Sequence, residues 1–181
     1  SLSILYHCNI GWPVVDEGSK IITPTCRIAP HNATAEEGKK HWDTLDKPTH
    51  GYREKVYFHD MTPARNGNVT AAIVNNGFKT GAGFGAYVSY NKNQLPRFAQ
   101  WKQMGEQDYT VGLEPSNCGI EGPAIDKKHG LLEYLRPGEQ KKCSLEFGAI
   151  TEADEVKALK THAATIKTEW VSSYRDFVKK P

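Results

Sequence analysis

No stretch of this chain approaches the roughly 18 consecutive apolar residues that a membrane-spanning helix needs, so a membrane is not an expected partner. Charge of neither sign is in excess: 23 Lys and Arg stand against 21 Asp and Glu, a net charge of +2. A nucleic-acid binder displays a basic patch or stripe, and none is present, so nucleic acid is not an expected partner either. Cysteine is sparse and unpatterned. Cys8, Cys26, Cys118 and Cys143 form no CxxC, and their spacing matches no zinc module. An even count would allow two disulfides, but no signal peptide leads the chain, and a reduced, cytoplasmic protein is the better reading. The N-x-T triplets at Asn32 and Asn68 then carry no meaning. There is no phosphate-binding loop, no internal repeat and no low-complexity segment. His7, His59 and a carboxylate could hold a metal, but no spacing argues for it. Neither a metal nor an organic cofactor is expected.

The apolar fraction is low, at 38%, while 16 Gly and 10 Pro supply many turns and 8 Tyr, 6 Phe and 4 Trp suit pleated surfaces. At 181 residues the chain can bury one real core. The pattern predicts strands over 2–10 and 20–25. A polar excursion follows over 30–53, with a short helical turn in "TAEEGKKHWD". Loops of that length are usually functional or mobile. A regular series then reads as strands over 54–61, 68–76, 83–91, 97–104 and 109–114. Turn signals, among them "NGFKTGAG", separate them, and "GLLEYLRPGE" and "KKCSLEFGAI" close the series. Pro115, lacking an N–H, should stop its ladder just after Glu114. Short strands with tight connections indicate an antiparallel sandwich or barrel. The tail differs. Thr151 and Asp154 resemble a capping box. Val156, Leu159, Ala163, Ile166, Trp170, Tyr174 and Phe177 recur at helical spacing. One helix, or two with a break near 167–170, should cover a sheet, its aromatics serving packing. The expected organisation is a β-sandwich domain over 1–150 and a helical segment over 151–181 packed on it.

Candidate chemistry is scattered along the strands. His7 and Glu114 occupy positions where alternation would allow an apolar residue. Each has a plain alternative, a structural histidine and a solvated strand-end carboxylate. Asn9 and Asn117 lie near them in sequence, and Trp101, followed by Lys102, precedes the strand of Glu114. His59 and Asp60 adjoin on another strand, where Asp60 could simply cap a turn. Carbohydrate sites draw on this inventory: carboxylates and amides for hydroxyl pairs, and a flat aromatic for the C–H face of a pyranose. An acid and a base on opposite sides of such a site could interconvert anomers.

The stretches "LYHCNIGWPVVDEG", "VYFHDM", "QLPRFAQWKQMGEQDYTVGLEPSNC" and "LRPGE" resemble the carboxyl-terminal half of the aldose 1-epimerase-like proteins, a branch of the galactose mutarotase superfamily. The resemblance runs over about residues 1–166 and is most specific in the "LPRFAQWK…GLEPSN" block. It implies a mostly β, galactose mutarotase-like antiparallel sandwich (a supersandwich), here a partial one, with a C-terminal helix. It implies Glu114 as general base and His7, in the position of the mutarotase general acid, as its complement. Asp60 resembles the aspartate that binds sugar hydroxyls. Members of the family are longer, and their amino-terminal half supplies an Arg and a His that grip the sugar. The chain is then a fragment, a natural truncation, or one completed by a partner chain or, as a homo-oligomer, by a second copy, since open sheet edges pair with other chains.

The function implied is anomer interconversion of an aldose by ring opening and closure. The substrate-binding set is Asp60, Asn9, Trp101, Lys102, Asn117 and His59. Two rivals share the fold, because fold does not fix function. One is a non-catalytic carbohydrate-binding protein. The other is an isomerase or lyase of an unusual sugar or sugar acid, with Lys102 and Arg97 meeting the anionic group.

Overall fold

A computed structural model of the protein describes residues 1–78 and 83–178. Its strands are β1 (Cys8–Ile10), β2 (Lys20–Ile22), β3 (Thr25–Pro30), β4 (Lys55–Met61), β5 (Asn68–Asn75), β6 (Phe84–Asn91), β7 (Arg97–Met104), β8 (Tyr109–Ser116), β9 (Leu145–Ile150) and β10 (Glu169–Trp170). The helices are α1 (Ala33–Glu37), α2 (Pro123–Lys128), α3 (Ala153–Ala164) and α4 (Tyr174–Val178), with a 3-10 turn at Lys39–His41. The strands form a six-stranded sheet, β1-β8-β7-β4-β3-β10, and a four-stranded sheet, β2-β5-β6-β9. Among the described strands all pairings are antiparallel except that of β10 with β3. The fold is thus mostly β, two antiparallel-rich sheets with a C-terminal helix, as expected.

Alternation explains the core. Val69, Ala71 and Ile73 of β5, Val88 and Tyr90 of β6, Phe98 of β7, and Val111 and Leu113 of β8 point into the space between the sheets. On the far side of the small sheet, Val156, Leu159 and Ala163 of α3 cover Ile22, Ala72, Val74 and Ile150. On the far side of the large sheet a smaller cluster forms on Val56, Phe58 and Ala99, under Trp101, Ile120, Tyr174 and Phe177. This outer face of the large sheet carries both cavities described below.

Several expectations are corrected. The single strand over 20–25 is two, β2 and β3, which belong to different sheets; Pro24 stands at the crossing, where no N–H is needed. The strand over 2–10 shrinks to β1, because residues 2–6 are held by isolated bridges and side chains instead. Pro115 does not end its ladder: β8 runs on to Ser116 opposite Arg97, and the Pro115 carbonyl accepts from Tyr6 N at 3.1 Å. Glu114 therefore sits inside the strand, not at its mouth. Leu131–Glu139 is no strand; its one ladder contact is Glu133 with Leu2. The helix α2, led by Pro123 in its first turn, was not expected. The capping box lies one residue beyond Thr151 and Asp154, at Glu152 and Glu155. Glutamate has the length to reach back, and Glu155 accepts from both Thr151 N and Glu152 N. The break in the tail is real, but it holds a strand, β10. The expected turn at 76–83 falls largely on residues 79–82, and the end of the tail on 179–181, both outside the described residues.

The long excursion over 30–53 closes one side of the sandwich interior. Ile21 N donates to Asp43 O, Leu45 N to Ser19 O and Gly18 N to Leu45 O, and Leu45 is fully buried in the core. Among the described residues no helix is long and apolar enough to cross a membrane.

Candidate active site

Register on the large sheet decides which side chains meet. Ala99 of β7 is opposite Glu114 of β8, Trp101 is opposite Gly112, and Asn9 of β1 is opposite Gly112 on the other side. Residues directly opposite share a face. Glu114, Gly112, Trp101 and Asn9 therefore share the outer face. His7 lies one step past the last β1–β8 pair, Cys8 with Leu113, and so comes to Glu114.

His7 Nε2 stands 3.1 Å from Glu114 Oε1. Glu114 is buried, whereas the His7 side chain is 45% exposed. Burial raises the Glu114 carboxyl above the usual carboxylate range, and the nearby imidazole pulls it part of the way back. The Trp101 ring meets the His7 ring edge-on at 5.6 Å, and Trp101 Nε1 donates to Glu54 Oε2 at 2.7 Å, which fixes the indole. These three side chains line a cavity of about 460 Å³. Gly112 makes it possible. A Cβ there would come within 2.7 Å of Glu114 Oε1, 3.0 Å of His7 Cε1 and 3.3 Å of Trp101 Cβ.

A second cavity of about 600 Å³ lies alongside on the same face, and Cys118, Gly119 and Ile120 line both. Asp60 belongs to this second cavity, where its Oδ1 accepts from Lys92 Nζ at 2.5 Å. Asn9 shares the face but is exposed and is not among the residues lining the first cavity.

The other three expected ligands are buried within the protein, His59 bordering the second cavity from below. Lys102 follows Trp101 and so faces inward. It is buried, and its Nζ donates to Thr44 O at 2.5 Å and His41 O at 3.1 Å and pairs with Asp46 Oδ2 at 3.0 Å. Burial lowers its pKa, with Asp46 opposing. His59 precedes Asp60 and also faces inward. Its Nδ1 bonds Thr25 Oγ1 at 2.9 Å, and its ring lies against Trp42 and Phe98. Burial pushes its pKa down to about 3, the neighbouring Gln100 amide pulling slightly the other way. Asn117 is buried as a clamp. Its Oδ1 accepts from Ile4 N at 2.7 Å, and its Nδ2 donates to Leu2 O at 3.1 Å and Glu133 Oε2 at 2.9 Å. It holds the segment that delivers His7. The structure thus places these three apart from the outer-face pair: His59 and Lys102 are buried facing inward, and the Asn117 amide is engaged by Leu2, Ile4 and Glu133.

Sequence reasoning missed Glu54, Gly112, Arg27, Lys92 and Tyr174. Only Gly112 left a signal, a glycine two residues before the proposed base on the same strand face. Among the described residues no group of three or more His, Cys, Asp or Glu is placed to hold a metal ion.

Residues 1–149 match the family described as Domain of unknown function (DUF4432). No curated protein matches the chain. The solved structure of a "putative aldose 1-epimerase" from Klebsiella pneumoniae subsp. pneumoniae MGH 78578 is similar, with a TM-score of 0.86 and 28% sequence identity. The similarity covers 94% of this chain and 45% of that one, so this chain spans less than half of its neighbour's length.

Proposed function

The chain belongs to the DUF4432 family, whose function is unknown, and from its outer-face cavity we propose that it carries the acid–base centre of an aldose 1-epimerase. The carrying observation is the 3.1 Å contact between Glu114 and His7 beside a fixed indole. The two reacting oxygens of a cyclic aldose, O1 and the ring oxygen, are bonded to one carbon. A base and an acid serving both must stand close together, as these do.

In this reading the sugar ring lies against Trp101. Glu114 takes the proton from the O1 hydroxyl, the bond from C1 to the ring oxygen breaks, and His7 protonates that oxygen. The open-chain aldehyde turns about C1–C2. Closure on the opposite face returns a proton to O1 from Glu114 and gives one back to His7. Burial makes Glu114 a stronger base than a solvated glutamate, which suits it to the task. The half-exposed His7 leaves one wall of the site open, and a further segment or a partner chain closing over it is part of this reading. Glu54 is a positioning residue that acts through Trp101.

Polarimetry on fresh aldose solutions tests it. The protein should accelerate mutarotation over buffer, and Glu114→Gln, which keeps the shape, should reduce the rate about 100-fold or more with an unchanged melting temperature. His7→Asn should do the same. Sugar binding without acceleration would leave a non-catalytic carbohydrate-binding protein. Equal rates for wild type and Glu114→Gln would remove Glu114 as the base.

A further inference from the structure

Three adjacent strands bring two arginines to the floor of the second cavity. Arg27 of β3 is directly across from Asp60 of β4. Arg97 of β7 lies one residue beyond the last β4–β7 pair, His59 with Phe98, and so flanks Asp60 from the other side. Asp60 nevertheless pairs with neither. Lys92 Nζ takes its Oδ1 at 2.5 Å and also reaches Met61 O at 2.5 Å. Arg97 donates to Asn117 O at 2.7 Å, and Arg27 reaches the carbonyls of Asp176 and Phe177 at 3.4 Å each. Among the described residues no ion pair includes Arg27 or Arg97.

Lys92 and Asp60 cancel, so two guanidinium charges remain facing one cavity without a carboxylate partner, Arg97 on one carbonyl and Arg27 on two distant ones and over the Phe177 ring, 5.5 Å from its centroid. Arg27 packs over Phe177 of α4, but its carbonyl contacts there, at 3.4 Å, are beyond the usual N–H···O range and leave its N–H donors for a ligand. Tyr174 lines the same cavity, and its hydroxyl is buried without a hydrogen-bond partner. Two guanidinium groups outside any close ion pair and a spare hydroxyl are a recognition set for an oxyanion, because the planar fork matches carboxylate and phosphate oxygens two at a time.

Resting on the reading of Glu114 and His7 as the acid–base centre, we propose that the second cavity binds an anionic group, phosphate or carboxylate, carried by the sugar. Glu114 is one strand over and two residues along from Arg97. Strand spacing and rise put their backbones about 8 Å apart. That is on the order of the reach from the anomeric carbon to a substituent at the far end of a hexose. The wall between the cavities is one chain segment, Cys118 to Ile120, with Gly119 at its middle. A hexose 6-phosphate or a hexuronate fits this layout, and a neutral hexose leaves both arginines unanswered.

Calorimetric titration of the 181-residue chain with glucose, glucose 6-phosphate and glucuronate tests this, alongside anomer exchange followed by NMR. The anionic sugars should bind about tenfold or more tighter than glucose. Arg27→Gln with Arg97→Gln should abolish that preference, and Arg97→Lys should keep part of it. Preference for glucose 6-phosphate assigns the group as phosphate, and preference for glucuronate as carboxylate. Should the double variant fail to fold, inorganic phosphate must still compete with glucose 6-phosphate on the wild type. Equal binding of the three sugars, a preference that survives in the folded double variant, or no competition by phosphate overturns the proposal. Arginine-dependent binding of an anionic sugar with no faster anomer exchange keeps this subsite and removes the acid–base reading.

Discussion

The two faces of the large sheet hold similar polar groups under opposite conditions. On the inner face, His59, Gln100 and Lys102 are all buried. Lys102 reaches the carbonyls of His41 and Thr44, and Gln100 Nε2 donates to Trp42 O at 2.8 Å, so both tie down the loop that closes the sandwich. Lys102 spends its bonds on backbone and Asp46, and where His59 Nε2 and Gln100 Oε1 have no partner they are buried away from the outer face. On the outer face, His7 and Glu114 are bonded chiefly to each other and front a cavity, and Arg27 and Arg97 have no carboxylate partner, only carbonyl oxygens and, for Arg27, the Phe177 ring. A buried charge whose partners are all fixed holds structure together, whereas a charge with spare capacity beside a cavity is available to a ligand.

The largest expected effect tests the inner face. Lys102→Ala leaves two carbonyls and Asp46 without their cation and opens a cavity under the loop. It should reduce stability by about 3 kcal/mol. For a chain of this size each kcal/mol corresponds to roughly 2–4 °C in melting temperature, so thermal unfolding reads it directly. Any residual mutarotase rate per folded molecule should be unchanged. A stable Lys102→Ala with lost sugar binding would reverse the assignment of the faces.

That assignment was partly legible in the chain itself. His59 adjoins Asp60, and Trp101 adjoins Lys102, and in a strand adjacent residues point to opposite faces. All four cannot serve one site. Glu114 with Leu113 obeys the same rule: leucine goes inward, so the carboxylate goes outward. The series of central strands was legible because apolar alternation and turn signals agree there. Arg27 was not, because β3 bulges between Thr25 and Arg27, which breaks the parity that would have placed it beside Asp60. The clamp role of Asn117 was not legible because an amide that ties down backbone and one that binds sugar look alike in sequence. Its role depends on Leu2, Ile4 and Glu133, which only folding brings near.

A smaller effect sharpens the comparison through pH. His59 holds its proton only near pH 3 when folded, against about 6.5 in an unfolded chain. Between those values the unfolded state binds more protons, so stability is full above about pH 6.5 and is lost as the pH falls towards 3. The slope should approach about 1.4 kcal/mol per pH unit from this one group. His59→Phe should flatten the acid limb of denaturant-unfolding curves by that amount. Thr25 keeps a hydroxyl partner in Thr23, at 2.6 Å, so the variant leaves no orphan there. An unchanged limb would mean that His59 is charged or solvated in the folded protein.

The smallest expected stability effect falls on the outer face, at Gly112. A methyl group there would crowd Glu114 Oε1, His7 Cε1 and Trp101 Cβ, but no backbone atom is among these nearest neighbours. The first two atoms belong to side chains fronting the cavity, which can move aside. Gly112→Ala should therefore change stability by less than about 1 kcal/mol, helped by the lower entropy of the unfolded chain. Yet moving aside separates the two groups whose 3.1 Å contact defines the centre. Misplacement by an ångström or so is enough to lower a positioned proton transfer about 100-fold. Mutarotation rate and melting temperature measured on the same preparation separate these consequences. A lost rate with a preserved fold marks a face built for chemistry, because a face built only for packing would lose both or neither.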